Sequence, residues 1–239
     1  YMKQIISILS LFLVLSGIVV GQEADTTSVK AEMEDEEEGI PHLDLMLIDL
    51  NWDYLIGNNK SFKQDWYGRG ANVSILYDHP FQEDGMVSGA FGVGIAAHNY
   101  YSNSVVTRFD TALVSTSDFV DIPDSLMKSI KLSVNYVDIP IELRFRSAVD
   151  DRGNRIKVAI GAKVGYRLQT HEKTIDAQNV KLKTFAYPHI TKWRYGATFR
   201  AGYGSVMFHG FYSISTLFEE QNTVTPYNAL QLGVTITPF

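Results

Sequence analysis

Residues 135–146, "NYVDIPIELRFR", form an alternating segment with two faces that no single environment satisfies. Val137, Ile139, Ile141, Leu143 and Phe145 fall on one side; Asp138, Glu142, Arg144 and Arg146 fall on the other. A repeat of two is that of a β-strand lying between two environments. In a soluble sheet the aliphatic side is buried and the charged side is wet. In a membrane barrel the aliphatic side meets lipid and the charged side lines the interior. Which of the two applies depends on the segments around it.

Eight such segments recur, at about 43–55, 69–78, 86–101, 132–147, 156–168, 193–203, 206–215 and 228–237. An even number of strands near ten residues long is the pattern of an outer-membrane barrel. The connections sort in the same way. With the N-terminus on the inner side, those at the outer end span 56–68, 102–131, 169–192 and 216–227, and those at the inner end span only 79–85, 148–155 and 204–205. Long and short alternate throughout, which a soluble Greek-key sandwich has no reason to do.

The faces decide the rest. In "IDLNWDY", Ile48, Leu50, Trp52 and Tyr54 alternate with Asp49, Asn51 and Asp53. "IKVAIGAKVGYRL" and "WRYGATFRAGY" repeat the scheme, with Lys157, Lys163 and Arg167 in one and Arg194 and Arg200 in the other. The charged side also collects Gly92, Gly94, Gly161, Gly165, Gly196, Gly202 and Gly233. A wet surface has no need of glycine, whereas the crowded interior of a small barrel must alternate small with large side chains. The expected fold is therefore all-β, an eight-stranded antiparallel up-and-down transmembrane β-barrel with its charges inward.

Overall composition is consistent with this but does not announce it: 45% of residues are hydrophobic and 20% charged, as in a soluble globule, because alternation dilutes the membrane signal. The N-terminus is more explicit. Lys3 precedes an apolar run from Ile5 to Val20, and Val19 and Gly21 supply the small residues of a cleavage site, so 1–21 is expected to be a signal peptide. Residues 23–39 hold eight acids and one lysine. The segment 22–41 is thus expected to be an acidic, disordered periplasmic linker, with the barrel over 42–239. The absence of cysteine removes disulfides, thiolate metal sites and a lipoprotein anchor.

Inside the barrel, Asp49, Asp53, Asp78, Asp138 and Glu142 are expected to face Arg144, Arg146, Lys157, Lys163, Arg167, Arg194 and Arg200. Unpaired charge is costly in a narrow interior and paired charge is tolerable. Eight strands leave room only for side chains, so the expectation is a closed, ion-paired lumen; a narrow ion path is the alternative. Trp52, Tyr54, Trp66, Trp193 and Tyr195, together with Tyr67, Tyr101, Tyr136 and Tyr166, read as an aromatic girdle at the outer interface, and Tyr77, Phe81, Phe145, Tyr203 and Phe208 as its inner counterpart.

Catalysis finds little support. His98 lies with Tyr100 and Ser102 at the outer end of strand three, and His209 is placed towards the other end of strand seven, so the two are not expected to meet. His171 and His189 share a loop without metal-ligand spacing. No phosphate-binding glycine loop or nucleic-acid module is present, and no cofactor, metal or small-molecule substrate is expected. The long loops are the candidate partner surface, chiefly 102–131 with Phe109, Phe119, Ile122 and Leu126, and 169–192. Two arrangements are open for them: an apolar cap, or extended strands projecting above the membrane.

Tyr136 to Ile141, "YVDIPI", resembles the strand that marks the PorT-like outer-membrane β-barrel family of Bacteroidetes, and "KVAIGAKVGYRL" and "YGATFRAGYG" are similar to that family's glycine-punctuated strands. The resemblance covers about 42–239 and ends on Phe239, with Pro238 putting the terminal ring out of phase. It implies integral outer-membrane localisation, a periplasmic N-terminal tail, and a non-enzymatic role as structural or partner-binding subunit of an envelope assembly such as type IX secretion or gliding machinery. The expected partners are outer-membrane lipid and a protein of that assembly. A lipid-active enzyme is the alternative to this, beside the narrow channel.

Overall fold

The computed structural model describes residues 46–57, 62–110, 115–123, 125–185, 189–219, 222–223 and 225–238. The leader, the acidic linker and Phe239 lie outside them. The strands are β1 (Met46–Gly57), β2 (Arg69–Pro80), β3 (Val87–Ser102), β4 (Ser104–Asp110), β5 (Ser115–Asp121), β6 (Met127–Arg146), β7 (Ile156–Asp176), β8 (Lys181–Phe185), β9 (Trp193–Tyr203), β10 (Val206–Thr216) and β11 (Tyr227–Ile236).

Eight of these, β1, β2, β3, β6, β7, β9, β10 and β11, close into an antiparallel barrel, each paired with its neighbour along the chain and β11 with β1. Closure leaves no barrel strand with an open edge, which is what allows a sheet to sit in lipid. The opening question is answered in β6. Ile141 is 58% exposed, whereas its chain neighbour Glu142 is 3% exposed. Leu50, Ile75, Val93, Ile160, Phe199 and Ile214 are exposed on the other strands in the same phase, forming an outward apolar band.

The sequence-predicted strands match all eight barrel strands, but β6 and β7 run further, to Met127 and Asp176. They do so by a register shift between Asn135 and Tyr136, opposite Gln169 and Arg167. Such a bulge exchanges the faces of everything beyond it on the bulged strand. On β7 the inward set therefore passes from Lys163 and Gly165 to Thr170, Glu172 and Thr174. β8 adds to the projecting end of β7, from His171↔Phe185 to Ile175↔Lys181. β4 and β5 form a separate two-stranded hairpin.

Candidate functional site: the lumen and its cap

At the short-turn end the lumen has an apolar floor of Leu47, Leu76, Ala90 and Met207. Just above it, the Asp78 carboxylate accepts from Arg144 Nη1 at 2.9 Å and from Arg146 Nη2, while Arg146 Nη1 donates to Ser88 Oγ at 2.7 Å. Arg144 also donates through Nε and Nη2 to Glu142, both at 3.0 Å. Glu142 in turn accepts from Arg200 Nε at 3.1 Å. Arg200 Nη2 reaches Asp49 at 3.0 Å, and Asp49 accepts from Thr235 Oγ1 at 2.6 Å. Asp78, Arg144, Glu142, Arg200 and Asp49 are thus one chain of alternating charge across four strands.

A second cluster sits nearer the long-loop end. Arg194 donates to Asp138 through Nη2 at 2.6 Å and Nε at 3.2 Å, with Lys163 Nζ 3.8 Å from the same carboxylate. The Arg194 guanidinium lies 3.9 Å from the Tyr136 ring centroid and the Lys163 ammonium 4.3 Å from that of Phe211, so the cations are stacked as well as paired. Gly165 makes this possible, because a Cβ there would stand 2.9 Å from Arg194 Nε and against the Asp138 carboxylate.

Beyond these lie the histidines. His98 Nδ1 is 3.0 Å from Asp53, and Nε2 is 3.2 Å from Gln231 Nε2. The Gln231 amide donates there, so Nε2 is the bare nitrogen and Nδ1 carries the proton given to Asp53. A side chain at Gly70 would displace this pair, its Cβ falling 2.6 Å from His98 Nδ1. His209 Nδ1 meets Asn51 Oδ1 at 2.9 Å. Since Asn51 and Asp53 are successive inward residues of β1, and Gly233 and Gln231 of β11, the two histidines occupy adjacent layers. This corrects the expectation that they lie at opposite ends: it placed His209 by its distance from the β9–β10 turn, without the stagger between strands that closure imposes.

The long-loop mouth is filled by apolar side chains. Phe62, Phe119, Phe218 and Tyr227 pack ring against ring, with centroids of Phe62–Phe119 at 4.6 Å and Phe119–Tyr227 at 5.0 Å. They join Leu55, Ala96, Tyr100 and Val134 from the barrel strands in one cluster. The β4–β5 hairpin is held over the mouth by Glu172, which accepts from the Val106 amide at 2.9 Å, and by Asn222, which donates to the Ser115 carbonyl at 2.8 Å. Loop 102–131 is therefore a cap, whereas 169–192 supplies projecting strands; one arrangement is realised in each.

Among the residues anticipated for the lumen, Asp49, Asp53, Asp78, Asp138, Glu142, Arg144, Arg146, Lys163, Arg194 and Arg200 are all buried there. Lys157 and Arg167 are half-buried. Lys157 lines a cavity of about 10 Å³ beside Glu142, Arg144 and Arg200, room for one water at most. Three placements need correction. Tyr136 belongs to the lumen and not to the girdle, because its even number puts it in phase with Asp138. Phe119 is buried in the cap and is not free for a partner, while Phe109 and Leu126 are exposed and Ile122 is half-buried. His171 and His189 do not approach one another as ligands: the His171 ring packs on Phe185, and His189 Nε2 bonds Ser115 Oγ. Among the described residues no three His, Asp or Glu side chains are grouped to hold a metal ion.

Outside, Trp52, Trp66, Trp193 and Tyr195 are exposed, and half-buried Tyr54 donates to the Trp66 carbonyl at 3.2 Å. Tyr166 packs edge-on against Trp193 at 4.9 Å. Tyr77, Phe81, Phe145, Tyr203 and Phe208 are exposed towards the short-turn end.

A family model described as "outer membrane protein beta-barrel domain" matches residues 50–219. Two solved structures align over 80% of this chain and 96% of theirs. Both are of Ail, the attachment invasion locus protein of Yersinia pestis. One, in complex with the heparin analogue sucrose octasulfate, has 15% identity and a TM-score of 0.33; the other has 14% identity and a TM-score of 0.29. No curated protein matches the chain.

Proposed function

Because the chain belongs to the outer membrane protein β-barrel domain family, we propose that it is a closed, non-enzymatic barrel of the outer membrane whose work is done at its long-loop end, as a structural or partner-binding subunit of an envelope assembly. In this reading both chain termini lie on the periplasmic side with the short turns, and the long loops face out. The observation that carries it is the continuous filling of the interior. The apolar floor, the two ion-pair clusters, the histidine layers and the aromatic cap follow one another along the axis. A conducting path would need a row of wet polar groups from end to end, and a hydrolase would need its base accessible to substrate. His98 and Asp53 are instead fully buried against Gln231.

A filled barrel holds its loops rigidly. The cap is fixed to β7 through Glu172, and β8 stands beside it with Leu182 and Phe185 exposed. Such a platform is suited to docking a protein. The "YVDIPI" resemblance supports a PorT-like role in type IX secretion or gliding machinery as the particular assembly. The test is recovery of the tagged protein from native outer membranes in mild detergent, followed by mass spectrometry. Partners retained in stoichiometric amount support the subunit role and identify the assembly; recovery of the barrel alone, together with lipid turnover or conductance in planar bilayers, would overturn it.

A further inference from the structure

Where β6, β7 and β8 project past the girdle, they carry a row of like charges. Lys131 is the direct cross-strand partner of Lys173, and Lys173 of Lys183. Like charges directly opposite one another destabilise a sheet. In the lumen this chain answers its cations with carboxylates, and at the cap Arg108 has Asp110 at 2.7 Å. For the three lysines the interactions among described residues are with rings: Lys131 over Tyr101 at 5.9 Å and Lys183 over Phe185 at 4.8 Å. Partial burial and the neighbouring Lys173 and Lys183 hold the Lys131 ammonium below its ordinary pKa, the signature of uncompensated repulsion.

We propose that this row binds the anionic, phosphate-bearing sugars of an outer-leaflet glycolipid. Two observations fix the occupant. The lysines lie on the outward face, continuous with the lipid-facing band and not with the cap. They also stand beyond the Tyr166–Trp193 pair by the stretch from Tyr166 to Lys173, about 15–20 Å for a tilted strand. That height is above the headgroup of a simple phospholipid and within the saccharide layer of a glycolipid. Beside the row, a pocket of about 230 Å³ lined by Asp65, Tyr67, Asn103, Lys128 and Ser129 offers hydrogen-bonding groups to sugar hydroxyls. An anion bridging adjacent ammonium groups converts their repulsion into attraction. The inference rests on the proposed orientation only for its place in the cell, since a nanodisc presents glycolipid on both faces.

The test uses the purified barrel in phosphatidylcholine nanodiscs with a rough lipopolysaccharide phosphorylated on its inner sugars, and with the same lipid after enzymatic dephosphorylation. Wild type should retain the phosphorylated lipid at least about tenfold more tightly than the K131Q/K173Q/K183Q variant, and dephosphorylation should remove the difference. Heat-modified gel mobility reports folding; the triple variant should fold as well as wild type, since only repulsion is removed. Should it not fold, Lys173→Gln against Lys173→Arg makes the same comparison. Arg152→Gln with Arg155→Gln, in the short turn, should leave binding unchanged. Equal retention by wild type and triple variant would overturn the proposal. So would lysine-dependent binding of soluble polyphosphate as tight as that of the glycolipid, which would make the ligand a soluble polyanion.

Discussion

Replacing Arg200 by Met removes the cation that joins the two carboxylates at the centre of the lumen. Arg200 contacts Asp49 at 3.0 Å and Glu142 at 3.1 Å, and all three side chains are almost completely buried. Removing one member of a buried ionic group costs about 3–5 kcal/mol, because the remaining charge is desolvated without compensation. Glu142 keeps Arg144, and Asp49 keeps the Thr235 hydroxyl and, at 3.4 Å, the Asn72 amide. The loss should accordingly lie near the lower bound, about 3 kcal/mol. If the cost is uncompensated charge and not lost volume, adding Asp49→Asn and Glu142→Gln to Arg200→Met should bring the total loss below about 1.5 kcal/mol. Urea unfolding from phosphatidylcholine vesicles, followed by the fluorescence of Trp52, Trp66 and Trp193, measures each variant. A loss under about 1 kcal/mol for Arg200→Met, or no recovery on neutralising Asp49 and Glu142, would refute a desolvated ion-paired lumen.

On the lipid face, Ile141→Arg should cost about 2–4 kcal/mol near the midplane, read by the same unfolding curves; assembly equal to wild type would contradict the assignment. Phe119→Ala should remove about 3–5 kcal/mol from the cap, with amide exchange accelerated in β4 and β5 and unchanged in the barrel strands. The Tyr67 hydroxyl donates to Asp65 at 2.8 Å, which raises its pKa to about 12. A raised folded value stabilises the protein below the unfolded tyrosine pKa of about 10 and is lost as pH rises through the folded one. Tyr67→Phe should abolish that decline between about pH 10 and 12, measured by alkaline unfolding and phenolate absorbance.

The barrel was legible in the sequence because its determinants are local. A repeat of two, the alternation of loop lengths and glycines on the charged side each follow from a few neighbouring residues. What escaped is set by long-range geometry. Which carboxylate meets which cation depends on the stagger between strands, so Asp49 could be placed in the lumen but not opposite Arg200. The bulge at Asn135 and Tyr136, which lets β6 and β7 continue as a projecting sheet, has no signature in "SVNYVDIP". Tyr136 was readable: its parity with Asp138 and Glu142 puts it inside, and its ring chemistry suggested a girdle that the period forbids. The cap was open in sequence because "VVTRF" and "SDFVD" read equally as a projecting hairpin or as one folded over the mouth. What folds it inward is the cluster of Phe62, Phe218 and Tyr227, drawn from two other connections and a barrel strand.

The absence of native cysteine makes the orientation of faces directly measurable. Single cysteines placed in turn from Val137 to Phe145, labelled with an environment-sensitive fluorophore in lipid vesicles, can be quenched by nitroxides on the lipid chains. The account predicts strong quenching at positions 137, 139, 141, 143 and 145 and protection at 138, 140, 142 and 144. Quenching at the even positions, or the same level at every position, would contradict a barrel that turns its aliphatic face to lipid and its charges inward.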